Sequence, residues 1–160
     1  MNTASSLKGK NMRKQSIERK TITPETFHFD RLVKGEDLNH HKTLFAGRSA
    51  EWFVEAGFIA VANVLPASNI VCVKIHGMEF TQPIYPGEIA RFESRIAYVG
   101  RTSVKVHVTI KRQNETRPML EGFITFVHVN EDGRPVPHQL DLHLLTPEDQ
   151  HLHQTASTLR

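Results

Sequence analysis

NHHKTLFAGRSAEWFVEAGFIAVANVL, residues 39–65, joins a polar turn directly to the longest mostly apolar, helix-forming stretch of the chain. No proline falls inside it, and only Gly47 and Gly57 interrupt good helix formers. Trp52, Phe53, Val54, Ala56, Phe58, Ile59, Ala60, Val61 and Ala62 leave no wide polar face, so this helix is expected inside the fold. Glu51 and Glu55 stand four apart and share one side of it, and in a buried helix two carboxylates need a reason. Gly47 with Ser49 can open the helix. Leu65-Pro66 should close it, because the residue before a proline disfavours helical backbone.

Upstream, residues 21–32 read as a strand with Phe27 and Phe29 on one side and His28 and Asp30 on the other; Pro24 puts any ladder before it at an edge. Residues 33–46 read as a polar loop. Downstream, four runs have strand character. Residues 69–80 are rich in Val and Ile, and residues 88–99 oppose Ala90, Phe92, Ser94, Ile96 and Tyr98 to Arg91, Glu93, Arg95 and Ala97. Residues 101–112 alternate most cleanly, with Val104, Val106, Val108 and Ile110 inward and Lys105, His107, Thr109 and Lys111 outward, which predicts a sheet with one wet face. Residues 119–130 are apolar on both sides and predict a central strand. Gly100 marks a hairpin, and the four strands are expected as an antiparallel meander. Near the end, Thr146 caps and Pro147 opens a short polar helix.

The order is strand, apolar helix, then four strands. An α+β arrangement satisfies it, the hotdog fold: an antiparallel five- or six-stranded sheet wrapped around one long buried helix. One sheet around one helix leaves surface uncovered, so a homodimer is expected. Residues 21–137 form this domain, residues 138–160 a C-terminal extension with the short helix, and residues 1–20 a basic, flexible tail.

The chain has 160 residues and 39% apolar content, which fits one domain with a real core. Its net charge of +3 is uneven: residues 1–20 hold Lys8, Lys10, Arg13, Lys14, Arg19 and Lys20 against Glu18 alone. The tail lacks interleaved aromatics and amphipathic spacing, so it reads as solvated rather than as an arm for nucleic acid or a membrane surface. No apolar run has membrane-spanning length, no signal-peptide core begins the chain, and the single Cys72 reads as a small core residue in a reducing compartment. A cytoplasmic protein is expected. His40-His41 and His151-x-His153 lack partners at metal-ligand spacing, so no metal site is expected. His76 reads as a packed strand histidine, and no serine has a nucleophile-elbow context.

Three separated segments resemble one family, the hotdog-fold acyl-CoA thioesterases of the bacterial broad-specificity and cytosolic long-chain type. The first is residues 39–57, with an Asn-containing turn, the small pair Ala46-Gly47 and a helix bearing acidic residues. The second is Gly77-Met78-Glu79-Phe80 with Pro83-Ile84 and Gly87. The third is Gly100-Arg101-Thr102-Ser103-Val104, with residues 126–137 as its partner. The resemblance spans roughly residues 25–137.

It implies hydrolysis of an acyl-CoA to free acid and CoA, with no cofactor beyond the CoA of the substrate. Thioester hydrolysis needs a polarised carbonyl and either an activated water or a carboxylate nucleophile. Helix N–H groups near Gly47 can hold the thioester oxygen as charge develops. The resemblance assigns Asn39 to positioning water or substrate and a helix carboxylate, often on the neighbouring subunit, as base or nucleophile. Ungapped alignment puts Val54 where many members carry Asp, with Glu55 beside it, so Glu55 is the expected acid and Glu51 the reserve. Gly100, Arg101, Thr102 and Ser103 offer amides, hydroxyls and a guanidinium suited to the phosphates of CoA. A trimer of dimers rests on resemblance alone. The rivals are a non-hydrolytic acyl-CoA or acyl-carrier binding protein and a hotdog enoyl-CoA hydratase or dehydratase.

Overall fold

Pro24 divides the first strand segment in two. The computed structural model describes residues 18–160, so most of the basic tail, residues 1–17, lies outside the described residues. In chain order the elements are β1 (Lys20–Ile22), β2 (Thr26–Leu32), α1 (Ala46–Ala62), β3 (Ile70–Phe80), β4 (Ile89–Val99), β5 (Ser103–Arg112), β6 (Leu120–His128), β7 (Leu140–Leu142) and α2 (Pro147–Thr158). Five antiparallel strands make one sheet in the order β2-β4-β5-β6-β3, while β1 and β7 pair in parallel as a separate ribbon.

The hotdog fold is present, but the meander is shorter than expected. Only β4, β5 and β6 follow one another; β3 sits at the far edge, against β6. The cause is α1, which separates β2 from β3 in sequence and packs against all five strands. The chain therefore leaves one edge of the sheet, crosses its inner face as helix, and re-enters at the other edge.

The core lies between α1 and that inner face. Trp52, Phe53, Ala56, Ala60 and Val61 meet Phe92, Val106, Val108, Ile110, Ile124 and Phe126, all buried. Burying one side chain such as Phe53 stabilises the fold by about 1.5–3 kcal/mol. Gly57 permits the close approach, since a Cβ there would stand 2.7 Å from Ile124 Cδ1. In the single chain the helix is not buried all round, as its composition suggested. Glu51 and Glu55 are exposed, and Val54, Phe58 and Ile59 are half-buried.

The outer face of the sheet is not wet either, because α2 covers part of it. Lys105 and Thr109 are buried there. The Lys105 ammonium donates to the carbonyls of Ala156 at 2.8 Å and Leu159 at 2.6 Å, at the C-terminal end of α2 where a cation is favoured. At the other end Arg95 donates to Asp149 at 3.0 Å. Thr146 and Asp149 close a capping box, as the Thr146-Pro147 signal predicted. A register shift between Ile96 and Tyr98 turns Tyr98 out of the inward set to which alternation assigned it, and its ring stacks on His153 of α2 at 5.3 Å. Cys72 lies exposed on edge strand β3, not in the core.

Candidate active site

The loop before α1 is built by its own polar groups. Leu38 and Leu44 bridge, the Asn39 N–H donates to the Thr43 carbonyl at 2.8 Å, and Lys42 takes a φ of 61° to close the turn. The Asn39 side chain works inside this turn. Its Oδ1 accepts from the N–H groups of His41 at 2.9 Å and Thr43 at 3.2 Å, and its Nδ2 donates to Thr43 Oγ1 at 3.0 Å.

Asp37 fastens the loop to the helix. Its carbonyl accepts from Phe45 N–H at 2.9 Å, and its buried carboxylate accepts from Lys34 N–H at 2.9 Å and pairs with Arg48 at 3.3 Å. Sequence reasoning passed over Asp37 and gave Arg48 no role. A carboxylate three residues after Lys34 is an ordinary turn signal, visible only in hindsight.

The first intrahelical bond runs from Ser49 N–H to the Phe45 carbonyl at 3.0 Å. The N–H groups of Ala46, Gly47 and Arg48 therefore precede the helical ladder and are available to a ligand. A Cβ at Gly47 would stand 2.4 Å from Phe45 Cε1, so the exposed Phe45 ring would have to swing aside to admit one. Asn39, Thr43, Ala46 and Ser49 line a groove of about 290 Å³, closed by Leu44, Phe80, Ile84, Met119 and Leu120. The wall is apolar apart from amides and hydroxyls and holds no ionisable side chain among the described residues. Gly47 opens on the neighbouring hollow, with Asp37, Phe45, Arg48 and Glu51.

Neither carboxylate of α1 enters the Asn39 groove. Glu55 accepts from Arg31 Nη2 at 3.0 Å, and that guanidinium also lies 4.6 Å over the Phe29 ring. Glu51 pairs with Arg48 at 2.7 Å.

The Gly100 turn forms as expected, with Gly100 N–H donating to the Ser103 carbonyl at 2.8 Å. Gly100 and Arg101 line a second groove of about 490 Å³ with Arg19, Tyr98, His138 and Asp141. The carbonyl of Thr102 ties the turn to His128 N–H at 2.8 Å, and that of Ser103 accepts from His138 Nε2 at 3.1 Å. Burial holds the His138 imidazole below its ordinary pKa, against the opposing pull of that hydrogen bond. The two grooves lie at opposite ends of β5. Ile110, paired with groove residue Leu120, is seven residues or about 24 Å from Ser103.

His76 is bonded to Thr125 at 2.8 Å, and His40 stacks on His41 at 3.9 Å. Among the described residues no three or more His, Cys, Asp or Glu side chains are grouped to hold a metal, and no helix is long and apolar enough to cross a membrane.

The sheet wrapped on α1, with a groove at the helix N-terminus, defines a hotdog-fold protein. Residues 41–119 match the Thioesterase superfamily. An uncharacterized acyl-CoA thioester hydrolase of Bacillus subtilis is 27% identical over 105 residues, covering 63% of this chain and 60% of that protein. Another from Zymomonas mobilis is 32% identical over 97 residues, covering 57% of this chain and 64% of its own. An apo-hexameric acyl-CoA thioesterase of solved structure shares 26% identity at a TM-score of 0.75, covering 86% of this chain and 91% of its own. The segment 41–119 belongs to the thioesterase superfamily. The chain spans less than two thirds of the length of the two curated relatives.

Proposed function

We propose that this protein is an acyl-CoA thioesterase that releases a free carboxylic acid and CoA without a metal or prosthetic group. The observation that carries the reading is the groove where Asn39 stands beside the unbonded first turn of α1. Helix N–H groups there would hold the thioester oxygen as it gains charge. A water would add to the carbonyl carbon, with its proton passing to a carboxylate, and the C–S bond would break to leave protonated thiol.

A second copy of the chain supplies what this groove lacks. Edge strand β3 exposes Val71, Val73 and Ile75, an unpaired apolar ladder suited to its own two-fold copy. Antiparallel pairing there would set the Gly100–Ser103 end of one copy beside the Asn39 end of the other. It would also bring a second α1 toward the groove, and Glu55 of that helix would have to leave Arg31, on β2 at the opposite edge of the sheet, to act there. The nucleotide of CoA would then lie on Gly100, Arg101, Thr102 and Ser103, and the thioester would reach Asn39 and Gly47. The hexameric assembly of the solved relative supports a trimer of such dimers. The lone unpaired Cys72 supports a cytoplasmic setting.

One observation favours the non-hydrolytic rival: Val54 is apolar and the groove holds no acid among its described lining residues. Incubation with a panel of acyl-CoAs separates the readings. Thiol release supports the hydrolase, saturable binding without thiol supports the binding protein, and loss of enoyl absorbance without thiol supports the hydratase.

A further inference from the structure

Ser49 is the polar residue among the buried positions of α1, whose other members are Trp52, Phe53, Ala56, Gly57, Ala60 and Val61. It is 2% exposed. A hydroxyl placed there among apolar side chains is unfavourable unless it finds a partner. Asn39 and Thr43 of the turn beside it bond each other, and neither forms a hydrogen bond to the Ser49 hydroxyl. What Ser49 does have is the groove, which it lines together with Asn39 and Ala46.

Ser49 follows Ala46 by three residues, so the two share a helix face, separated by about 4.5 Å along the axis. The Ala46 N–H precedes the helical ladder and the Ser49 side chain lies one turn on, at the same wall. A carbonyl oxygen seated between them would meet one backbone donor and one hydroxyl donor. The groove holds no imidazole or carboxylate among its described lining residues, so no base of these residues stands beside the hydroxyl to take its proton. That argues for a donor and against a nucleophile.

We infer that Ser49 is a catalytic residue of the proposed hydrolysis, its Oγ–H donating a hydrogen bond to the thioester carbonyl oxygen alongside the helix N–H groups. The inference rests on the acyl-CoA reading of the groove. Ser49 forms no covalent bond and transfers no proton. It strengthens its hydrogen bond as the oxygen gains charge.

Ser49→Ala removes a single atom and keeps a good helix former. The variant and its wild type are compared by steady-state thiol release and by the carbonyl ¹³C shift of a bound acyl-CoA analogue with the sulfur replaced by CH₂, which cannot be hydrolysed. The expected result is a kcat roughly 100-fold lower with KM within about 2-fold. The bound carbonyl shift should lose its downfield displacement and regain it in Ser49→Thr. A Ser49→Ala protein with wild-type kcat, or with the carbonyl shift unchanged, overturns the inference. If the wild type itself releases no thiol, the hydrolase reading falls, while the shift still decides whether Ser49 holds the carbonyl.

Discussion

Arg31 Nη2 lies 3.0 Å from Glu55 Oε2, which ties the carboxylate of α1 to strand β2 and away from the Asn39 groove of its own chain. The two side chains are 40% and 46% exposed. An exposed pair of this kind is worth about 0–1 kcal/mol, weak enough to exchange for a site on a neighbouring copy.

Glu55→Gln should therefore lower kcat by about 100-fold or more, the usual effect of removing a general base, while leaving CoA affinity unchanged. Arg31→Gln should leave stability within about 1 kcal/mol of wild type. Steady-state kinetics, CoA titration and urea unfolding check these outcomes. A fully active Glu55→Gln protein would move the role to Glu51 or to water held by Asn39.

Among the described glycines, Gly122 meets backbone most closely. A Cβ there would stand 2.2 Å from the Gly77 carbonyl oxygen, because β3 bulges past it with Gly77 at a φ of 57°. Backbone cannot give way as a flexible side chain can, so Gly122→Ala should destabilise by about 3 kcal/mol or more. Gly35, with nothing within 4 Å of its Cβ position, is the control. Equal denaturation midpoints for the two variants would refute the assignment.

How much of this was legible in the sequence follows from what each signal depends on. Period-2 patterning in β5 and the apolar run of α1 reflect local burial, so the sheet, the helix and their contact could be read directly. The position of β3 depends on which strand it meets across the sheet, and Val and Ile in 70–80 do not encode that. The wet outer face predicted for Lys105, His107 and Thr109 was lost because α2, polar by composition, docks through Arg95 and Lys105 rather than an apolar stripe. At the site, Asn39 and the helix N-terminus were found because turn and helix signals are local. Ser49 was noted only as a helix opener, since its burial arises from the groove wall.

The Lys105 clamp makes its own prediction. Lys105→Met keeps the stem and removes the ammonium that holds the Ala156 and Leu159 carbonyls, costing about 1–3 kcal/mol. Limited proteolysis should cut within α2 faster in the variant while α1 stays protected. Unchanged cleavage would mean that α2 docks without it.

Acid should loosen the fold through His107 and His138. Burial holds both below the ordinary imidazole value. At His107, Arg95 and Lys111 add to the depression, and Glu121 and Glu93 oppose it. The unfolded chain thus takes up these protons first. The stabilisation is complete above about pH 6.5 and is lost as pH falls through the depressed folded values. Urea midpoints should fall between pH 7.5 and pH 5.5, and His107→Gln should flatten part of that slope. Midpoints independent of pH over this range would contradict the assignment.

On the proposed reading, one acyl-CoA-hydrolysing site is assembled from two copies, Asn39 from one and Glu55 from the other. Mixing Asn39→Ala with Glu55→Gln protein after subunit exchange tests it most directly. Each variant alone should be nearly inactive, and an equal mixture should regain about a quarter of wild-type thiol release, because half of the random dimers carry one intact site. No recovery in demonstrably exchanged subunits would contradict the shared site, and full activity of either variant alone would contradict the chemistry assigned to it.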